Sequence, residues 1–220
     1  MRLLPWLLLV SVGCSHPVPH HDEHPGPYHV YHRFEHAADW VARFEDPARD
    51  AWQRPEEVIR ALGLASGASV ADIGAATGYF PVRFAKALPQ GRVFGVDIEP
   101  SMVEYLAERA RREGISNLQA VLASPDDPKI PEPVDLIIVV DTYHHLADRS
   151  AYFRRLATSL KPGGRVAIID FKPESKMGPM EKLAPSQVLG ELAEAGYSLV
   201  AQPALLPEQY FLIFALAPGR

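Results

Sequence analysis

Short apolar runs alternate with amphipathic segments along most of the chain. The apolar runs predict strands at residues 69–73, 92–97, 118–123, 134–141 and 165–171. Between them, apolar positions recur every three or four residues, which predicts helices at residues 79–88, 101–113 and 150–160. Because strands that alternate with helices form a parallel sheet covered on both faces, the pattern predicts an α/β fold with a doubly wound, Rossmann-like sheet.

The segment before the first strand has the pattern of helices. Ala37, Trp40, Val41 and Phe44 recur at helical spacing, which predicts a helix over residues 31–44 with one face packed down. Residues 46–52 are typical of a polar turn with an aromatic anchor. Pro55 favours the start of a further helix, and Gly63 its end.

Two further features of the pattern concern helix starts and the end of the chain. Ser101 and Glu104 have the spacing of a capping box for the helix at residues 101–113. A helix at residues 186–195 ends at Gly196, and apolar runs at 197–201 and 210–216 follow with only a loop between them. Two strands without a helix between them pair antiparallel, so we expect a hairpin on the edge of the sheet.

The N-terminus has the pattern of a leader. Residues 3–12 form an apolar run of signal-peptide length, too short to span a bilayer as a helix. The run ends at Cys14 in a segment that resembles the bacterial lipobox, although Ser11 stands where leucine is usual. The resemblance implies that residues 1–14 are a signal peptide and that acylated Cys14 anchors the protein to a membrane of the cell envelope. An apolar leader with an incidental cysteine is the alternative, and the protein is cytoplasmic if the leader is not used.

Residues 15–30 are rich in histidine and proline and predict an extended tether. A loose transition-metal site in the tether would use its histidines and acids, which are His20, His21, Asp22, Glu23 and His24. A polar linker explains these residues as well. His32 and His36 lie four apart on the predicted helix, with Asp39 nearby. A polar helix face explains this set equally, so we assign no metal ligand.

Composition narrows the function classes. The chain has 220 residues, a net charge of −5 and a single cysteine. The length suits one α/β domain at residues 64–220 with a helical lid at residues 31–63. One cysteine excludes an internal disulfide and a cysteine zinc site. Because nucleic-acid binding needs clustered Lys and Arg, the charge excludes it and favours a small-molecule partner.

A glycine turn follows the first predicted strand. It reads Asp72-x-Gly74-x-x-x-Gly78. A dinucleotide turn needs glycine at the positions that Ala76 and Tyr79 occupy, so that the backbone approaches a pyrophosphate. The turn therefore does not indicate a nicotinamide cofactor, and the chain has no P-loop.

The turn resembles the first motif of class I S-adenosylmethionine-dependent methyltransferases, in which an acid precedes the glycines. Further segments resemble the family at its usual intervals, at residues 96–97, 135–141 and 160–165, and the resemblance covers about residues 56–217. It implies a seven-stranded sheet, mostly parallel with one antiparallel strand, and S-adenosylmethionine as cofactor. Ala76 departs from the family, because a glycine is common there.

The resemblance also implies roles for particular residues. Asp97 would hold the ribose hydroxyls, and Asp72 would lie near the methionine amino group. The implied cofactor contacts are Asp72, Gly74, Ala76, Gly78, Asp97, Ile98, Asp126 and Asp141. Alternatives remain open, since Asp97 and Asp72 also suit helix or turn caps, and Pro125 with Asp126 and Asp127 suits a simple turn.

The acceptor side is predicted after the fourth strand, at residues 141–145. His144 and His145 are candidates for a general base, since imidazole titrates nearest neutral pH, and Tyr143 is a candidate for orienting the acceptor. The alternative for the histidines is that one caps the following helix and the other packs under it. The lid aromatics Tyr31, Phe34 and Trp40 suggest a small or apolar acceptor, although core packing explains Trp40 and Phe44 equally well.

Two hypotheses of different classes follow. The first is a small-molecule methyltransferase that uses S-adenosylmethionine and is anchored to a membrane. The second is a non-catalytic binding or metal-sensing module on the same fold. The combination of Asp72, Gly74, Gly78 and Asp97 favours the first, because a repurposed fold need not keep all four.

Overall fold

The computed structural model describes residues 34–218. The predictions about the leader, Cys14, the tether, Tyr31 and His32 concern residues outside this range. None of the helices within residues 34–218 is long and apolar enough to cross a membrane.

Seven strands form one sheet in the order β3-β2-β1-β4-β5-β7-β6. All neighbouring pairs are parallel except those of β7, which runs antiparallel to β5 and β6. The sheet therefore confirms the predicted Rossmann-like fold with one antiparallel strand in a C-terminal hairpin. The strands are β1 (Ser69–Ile73), β2 (Arg92–Asp97), β3 (Leu118–Leu122), β4 (Val134–Val140), β5 (Leu160–Phe171), β6 (Tyr197–Ala201) and β7 (Gln209–Leu216).

Helices cover both faces of the sheet. Because side chains alternate along a strand, Val70 and Leu136 face one buried cluster with Phe84 of α4, whereas Ala71 and Ile137 face the other. Burial from both sides explains why all five residues of β1 are buried. The helices are α1 (Ala37–Phe44), α2 (Arg49–Gln53), α3 (Pro55–Leu62), α4 (Tyr79–Ala87), α5 (Pro100–Arg112), α6 (Arg149–Leu156) and α7 (Pro185–Ala195).

Two predictions about the N-terminal segment are wrong. The predicted polar turn contains helix α2, because the side chain of Asp46 accepts a hydrogen bond of 2.9 Å from Ala48 N and starts a helical turn. Helix α1 begins only at Ala37, since His36 has extended backbone angles. His36 therefore lies outside the helix, and the helix-face argument for a metal site is lost. Gly63, with φ of 59°, ends α3 as predicted.

The predicted capping box of α5 is also wrong. The helix begins at Pro100, and Glu99 is its N-cap. Proline suits the first helical position because its fixed φ is already helical and its missing N–H needs no partner there. Ser101 thus lies one residue inside the helix, and its Oγ is buried without a hydrogen-bond partner among residues 34–218.

Candidate active site

The glycine turn leaves β1 in a conformation that suits glycine. Gly74 and Gly78 have φ of 79° and 96°, in the left-handed region. Gly74 N and Ala75 N donate to Val96 O at 2.8 and 3.0 Å, so the turn is tied to the end of β2. A Cβ on Gly74 would overlap the side chain of Thr142, which follows β4. Ala76 also has a positive φ, 45°, at the position where the resembled family often has glycine.

Asp97 ends β2 and binds the glycine turn directly. Its Oδ2 accepts from Ala76 N at 2.8 Å, and its Oδ1 accepts from Glu99 N at 2.9 Å. Burial raises the pKa of Asp97, and the backbone N–H groups of Glu99 and Ala76 oppose that rise. The side chain stays partly exposed, and Ile98 beside it is 41% exposed. A carboxylate oxygen accepts more than one hydrogen bond, so Asp97 keeps acceptor capacity for a ligand.

Asp72 is the last residue but one of β1 and is 3% exposed. Its Oδ1 is buried and has no hydrogen-bond partner among residues 34–218. Burial and the nearby charge of Asp97 raise the pKa of Asp72 well above its ordinary value, while Arg49 opposes the rise. A buried acceptor without a donor is costly, so this oxygen fits a ligand that brings a donor such as an ammonium group.

Asp126 lies in an exposed turn after β3. Backbone hydrogen bonds join Ser124 and Asp127 in both directions, and Asp127 Oδ1 accepts from Lys129 N at 2.9 Å. The segment therefore has the turn geometry that the sequence left open as an alternative. The role of Asp126 toward an adenine stays a prediction.

His144, which is partly exposed, pairs with the buried Asp170 where β4 and β5 end. The ring Nδ1 of His144 lies 3.0 and 2.9 Å from the two carboxylate oxygens of Asp170, and His144 N donates to Oδ2 at 3.3 Å. Asp170 is 2% exposed and also accepts from Phe171 N at 2.8 Å. Because a carboxylate only accepts, Nδ1 carries the hydrogen, and Nε2 of the neutral ring has the lone pair.

The other two predicted acceptor-side residues lie in different surroundings. The ring of His145 is 4.1 Å from that of His144 and 6.2 Å from that of Phe34. Tyr143 is fully buried and donates to Glu191 Oε2 at 2.6 Å. Burial and this hydrogen bond raise the pKa of Tyr143 above its ordinary value. The geometry favours a packing role for Tyr143, and its role in orienting an acceptor stays a prediction.

Asp141, just after β4, is held by residues from both ends of the described chain. Gln53 of α2 donates to Oδ2 at 2.8 Å, and Gln209 of β7 donates to Oδ1. Arg49 lies 4.0 Å from Oδ2. Burial and the charge of Asp170 raise the pKa of Asp141 to about 7, against the opposing effects of Arg49 and Gln53. Asp141 thus holds α2 next to the carboxyl end of β4 through its hydrogen bond with Gln53.

The N-terminal segment also contacts the glycine turn. Glu45, at the end of α1, accepts from Thr77 Oγ1 at 2.6 Å and pairs with Arg109 of α5 at 2.7 Å. Arg49 donates to Gln53 Oε1 and lies over the ring of Tyr79, with Cζ 3.9 Å from the ring centroid. Helices α1 and α2 are therefore joined to both the turn and the residues that follow β4.

Sequence reasoning missed the residues that support the site from a distance: Glu45, Arg49, Gln53, Thr77, Asp170 and Gln209. Asp170 had a usable signal, because an acid near the end of an apolar strand is the same feature that singled out Asp72. Arg49 and Gln53 had none, since they lie in a segment interpreted as a turn. No group of three or more His, Cys, Asp or Glu residues within the described range is placed to hold a metal ion.

Comparison with known proteins agrees with this geometry. Residues 64–200 match the family model described as methyltransferase domain. The chain is 31% identical over 138 residues to erythromycin 3''-O-methyltransferase of Saccharopolyspora erythraea, covering 60% of this chain and 45% of that protein. It is 30% identical over 130 residues to a ubiquinone/menaquinone biosynthesis C-methyltransferase of a Marinomonas species, covering 57% and 51%. The chain thus spans about half the length of these curated relatives.

Solved structures share the fold over most of the described chain. A SAM-dependent methyltransferase from Aquifex aeolicus superposes with a TM-score of 0.75 at 26% identity, covering 81% of this chain and 98% of that one. Magnesium protoporphyrin IX methyltransferase from Synechocystis, solved with bound SAM, has a TM-score of 0.63 at 18% identity and covers 82% and 91%. The second likeness supports the fold alone.

Proposed function

The chain belongs to the methyltransferase domain family, and we propose that it transfers a methyl group from S-adenosylmethionine to a small-molecule acceptor, with His144 as general base. When bound, the cofactor supplies a methyl group on a positively charged sulfur, which is a strong electrophile. What the protein must add is binding, orientation, removal of a proton and exclusion of water.

Three side chains are suited to hold the cofactor. Asp97 has acceptor capacity for the two ribose hydroxyls, and the unpartnered Oδ1 of Asp72 suits the methionine amino group. Arg49 is the cation from the lid that lies near Asp72, and it suits the methionine carboxylate. The residues present therefore fit a ligand that carries a diol, an ammonium group and a carboxylate.

His144 is suited to take the proton from the acceptor. Asp170 holds Nδ1–H, so Nε2 is the ring atom that accepts a proton from a hydroxyl. The positive charge that then develops on the imidazole lies beside a buried carboxylate, which stabilises it. The contact between His144 and the buried carboxylate of Asp170 is the observation that carries the proposal of a base.

Helices α1 and α2 would exclude water during transfer. Gln53 joins α2 to Asp141, and Glu45 joins the end of α1 to Thr77 in the glycine turn. These contacts fasten one segment across both the cofactor and acceptor ends of the strands. Low water content would protect the activated methyl group from hydrolysis.

The test is the exchange His144→Gln in the full chain. We expect kcat to fall by roughly 100- to 10,000-fold, the usual contribution of a general base, with unchanged calorimetric affinity for S-adenosylhomocysteine. His145→Gln is the matched control and should retain most of the activity. Full turnover by His144→Gln would exclude the base, and no binding of S-adenosylmethionine or its product by the wild type would favour a non-catalytic module.

Membrane attachment is a separate proposal, supported only by the lipobox-like segment that ends at Cys14. If it holds, the chain expressed with its leader incorporates labelled fatty acid, and Cys14→Ser abolishes the label. Equal labelling of Cys14→Ser would contradict the proposal. The result leaves the methyltransferase proposal unaffected, because the site lies wholly within residues 34–218.

A further inference from the structure

A cluster of aromatic rings from the N-terminal segment reaches the two histidines. Trp40 and Phe44 stack at 5.6 Å with an interplanar angle of 19°. Phe34 meets them edge-on, at 4.8 Å from Trp40 and 5.6 Å from Phe44. Phe34 also meets the ring of His145 edge-on at 6.2 Å. The rings thus form one continuous aromatic surface beside His144 and His145, which we call the ring cluster (Phe34, Trp40 and Phe44).

The ring cluster is not part of the folded core. Each of its side chains is partly exposed, and none belongs to the two buried apolar clusters that pack the faces of the sheet. Trp52 of α2 is likewise partly exposed and lies 5.7 Å from Phe171, the residue after Asp170. Large aromatic surface that is left half open beside a candidate base is a feature of ligand sites rather than of cores.

The chemistry of the base limits the hydroxyls that it activates. Proton transfer is efficient when the pKa values of base and acid are not far apart. A phenolic hydroxyl has a pKa of about 10, whereas the pKa of an aliphatic hydroxyl, like that of water, lies far higher. An imidazole therefore suits a phenolic or enolic hydroxyl far better than a simple alcohol.

The ring cluster and the candidate base lie side by side, so one ligand can use both. The ring cluster offers flat apolar faces for an aromatic ring, and aromatic pairs prefer the edge-on and stacked arrangements that its members already show. His144 offers the base for an acidic hydroxyl on that ring. We propose that the acceptor is a planar aromatic compound with an ionisable ring hydroxyl, bound by the ring cluster and methylated on that oxygen.

The inference rests on the proposed function and names its substrate class. In the step, the O–H bond of the acceptor breaks and its proton passes to Nε2 of His144. The oxygen then forms a bond to the methyl group as the bond between that methyl group and sulfur breaks. Charge balances, because the cationic sulfur becomes a neutral thioether and the imidazole becomes an imidazolium.

The experiment compares 1-naphthol with its saturated counterpart, decahydro-1-naphthol. The two probes have similar size and one hydroxyl each, but only the first has an aromatic ring and an acidic hydroxyl. Binding to the full chain is measured by calorimetry with and without S-adenosylhomocysteine. We expect 1-naphthol to bind at least about 10-fold more tightly, because each aromatic pair that its ring forms with the ring cluster adds to its affinity.

Substitutions in the ring cluster test whether 1-naphthol binds there. Phe34→Leu combined with Trp40→Leu should abolish the preference for 1-naphthol, whereas Trp40→Phe, which keeps a ring, should retain it. Tyr105→Leu is the matched control, because Tyr105 is a partly exposed aromatic residue of α5 that faces α1 outside the ring cluster. Thermal unfolding of each variant shows whether the fold is kept.

The outcomes separate the two proposals. Equal binding of the two probes, no binding of 1-naphthol, or a preference that survives the loss of both rings would overturn the aromatic acceptor, even if S-adenosylhomocysteine binds normally. A preference for 1-naphthol that depends on the ring cluster supports it. If that preference is found in a chain that binds no S-adenosylhomocysteine, the aromatic site stands and the methyltransferase proposal fails.

Discussion

The proposed site lies at the carboxyl ends of the strands, and its cofactor half and its acceptor half are built differently. In the cofactor half, at the ends of β1 and β2, Asp97 binds Ala76 and Glu99, which lie 21 and 2 residues away along the chain. In the acceptor half, after β4, Asp141 binds Gln53 and Gln209, which lie 88 and 68 residues away. The cofactor half is therefore mostly local, whereas the acceptor half is assembled from distant segments.

This difference separates two kinds of recognition. The glycine turn with Asp72 and Asp97 presents the same polar groups whenever β1 and β2 pair, so it suits a ligand that is always the same. A site closed by the lid helices and by β7 depends on how those segments pack, so its shape responds to changes elsewhere in the chain. The comparison predicts that substitutions in one half leave the function of the other half intact.

The largest expected effect is in the acceptor half. Asp170→Asn should lower kcat by roughly 100-fold, because the amide no longer stabilises the charged imidazole or selects its tautomer. As Asp170 acts through His144, the pH profile of kcat should also shift, while the affinity for S-adenosylhomocysteine stays unchanged. Glu174→Gln, an exposed acid in the segment after β5, is the control. An unaltered pH profile would leave Asp170 with a packing role only.

The next effect is in the cofactor half. Asp97→Asn should weaken binding of S-adenosylhomocysteine by about 10- to 100-fold, because the loss of one hydrogen bond to a charged acceptor costs about 1.5–3 kcal/mol. Calorimetric titration measures the loss. Glu108→Gln on the exposed face of α5 should bind normally. If Asp97→Asn altered binding of 1-naphthol as strongly as binding of S-adenosylhomocysteine, the division into two halves would be wrong.

A smaller effect tests the contact between the halves. Gly74→Ala should destabilise the protein by about 2 kcal/mol, because its methyl group would overlap Thr142 and its φ is positive. Adding Thr142→Gly should recover part of that loss. Chemical denaturation of the two single variants and the double variant gives the coupling energy, and strict additivity would show that the two residues do not contact each other.

The smallest effect is a dependence of stability on pH. Because the pKa of Asp141 is raised from 3.8 to about 7, the unfolded chain loses this proton between about pH 4 and 7 while the folded protein keeps it. As the pH rises from about 4 to 7, the wild type should therefore lose about 1 kcal/mol of stability relative to Asp141→Asn, after allowance for solvent screening. Parallel stability curves for the two proteins would show that Asp141 titrates normally.

Much of the fold was predictable, because buried apolar residues recur at regular spacings along strands and helices. The strands at residues 69–73, 92–97 and 197–201 match the structure at both ends. The glycine turn was also predictable, since Gly74 and Gly78 have backbone angles that few other residues adopt. The predicted turn at residues 46–52 failed, because a short helix of polar residues has too few apolar positions to show a period.

The sequence by itself determined the order of strands and helices, the turn that excludes a pyrophosphate, and the acids at the ends of β1 and β2. Each of these depends on residues close together in the chain, where periodic burial and backbone angles leave a signal. Only the tertiary structure decided that His144 meets Asp170, and that Gln53 and Gln209 hold Asp141. Such pairs form only when folding brings distant segments to one edge of the sheet, and no local pattern specifies that meeting.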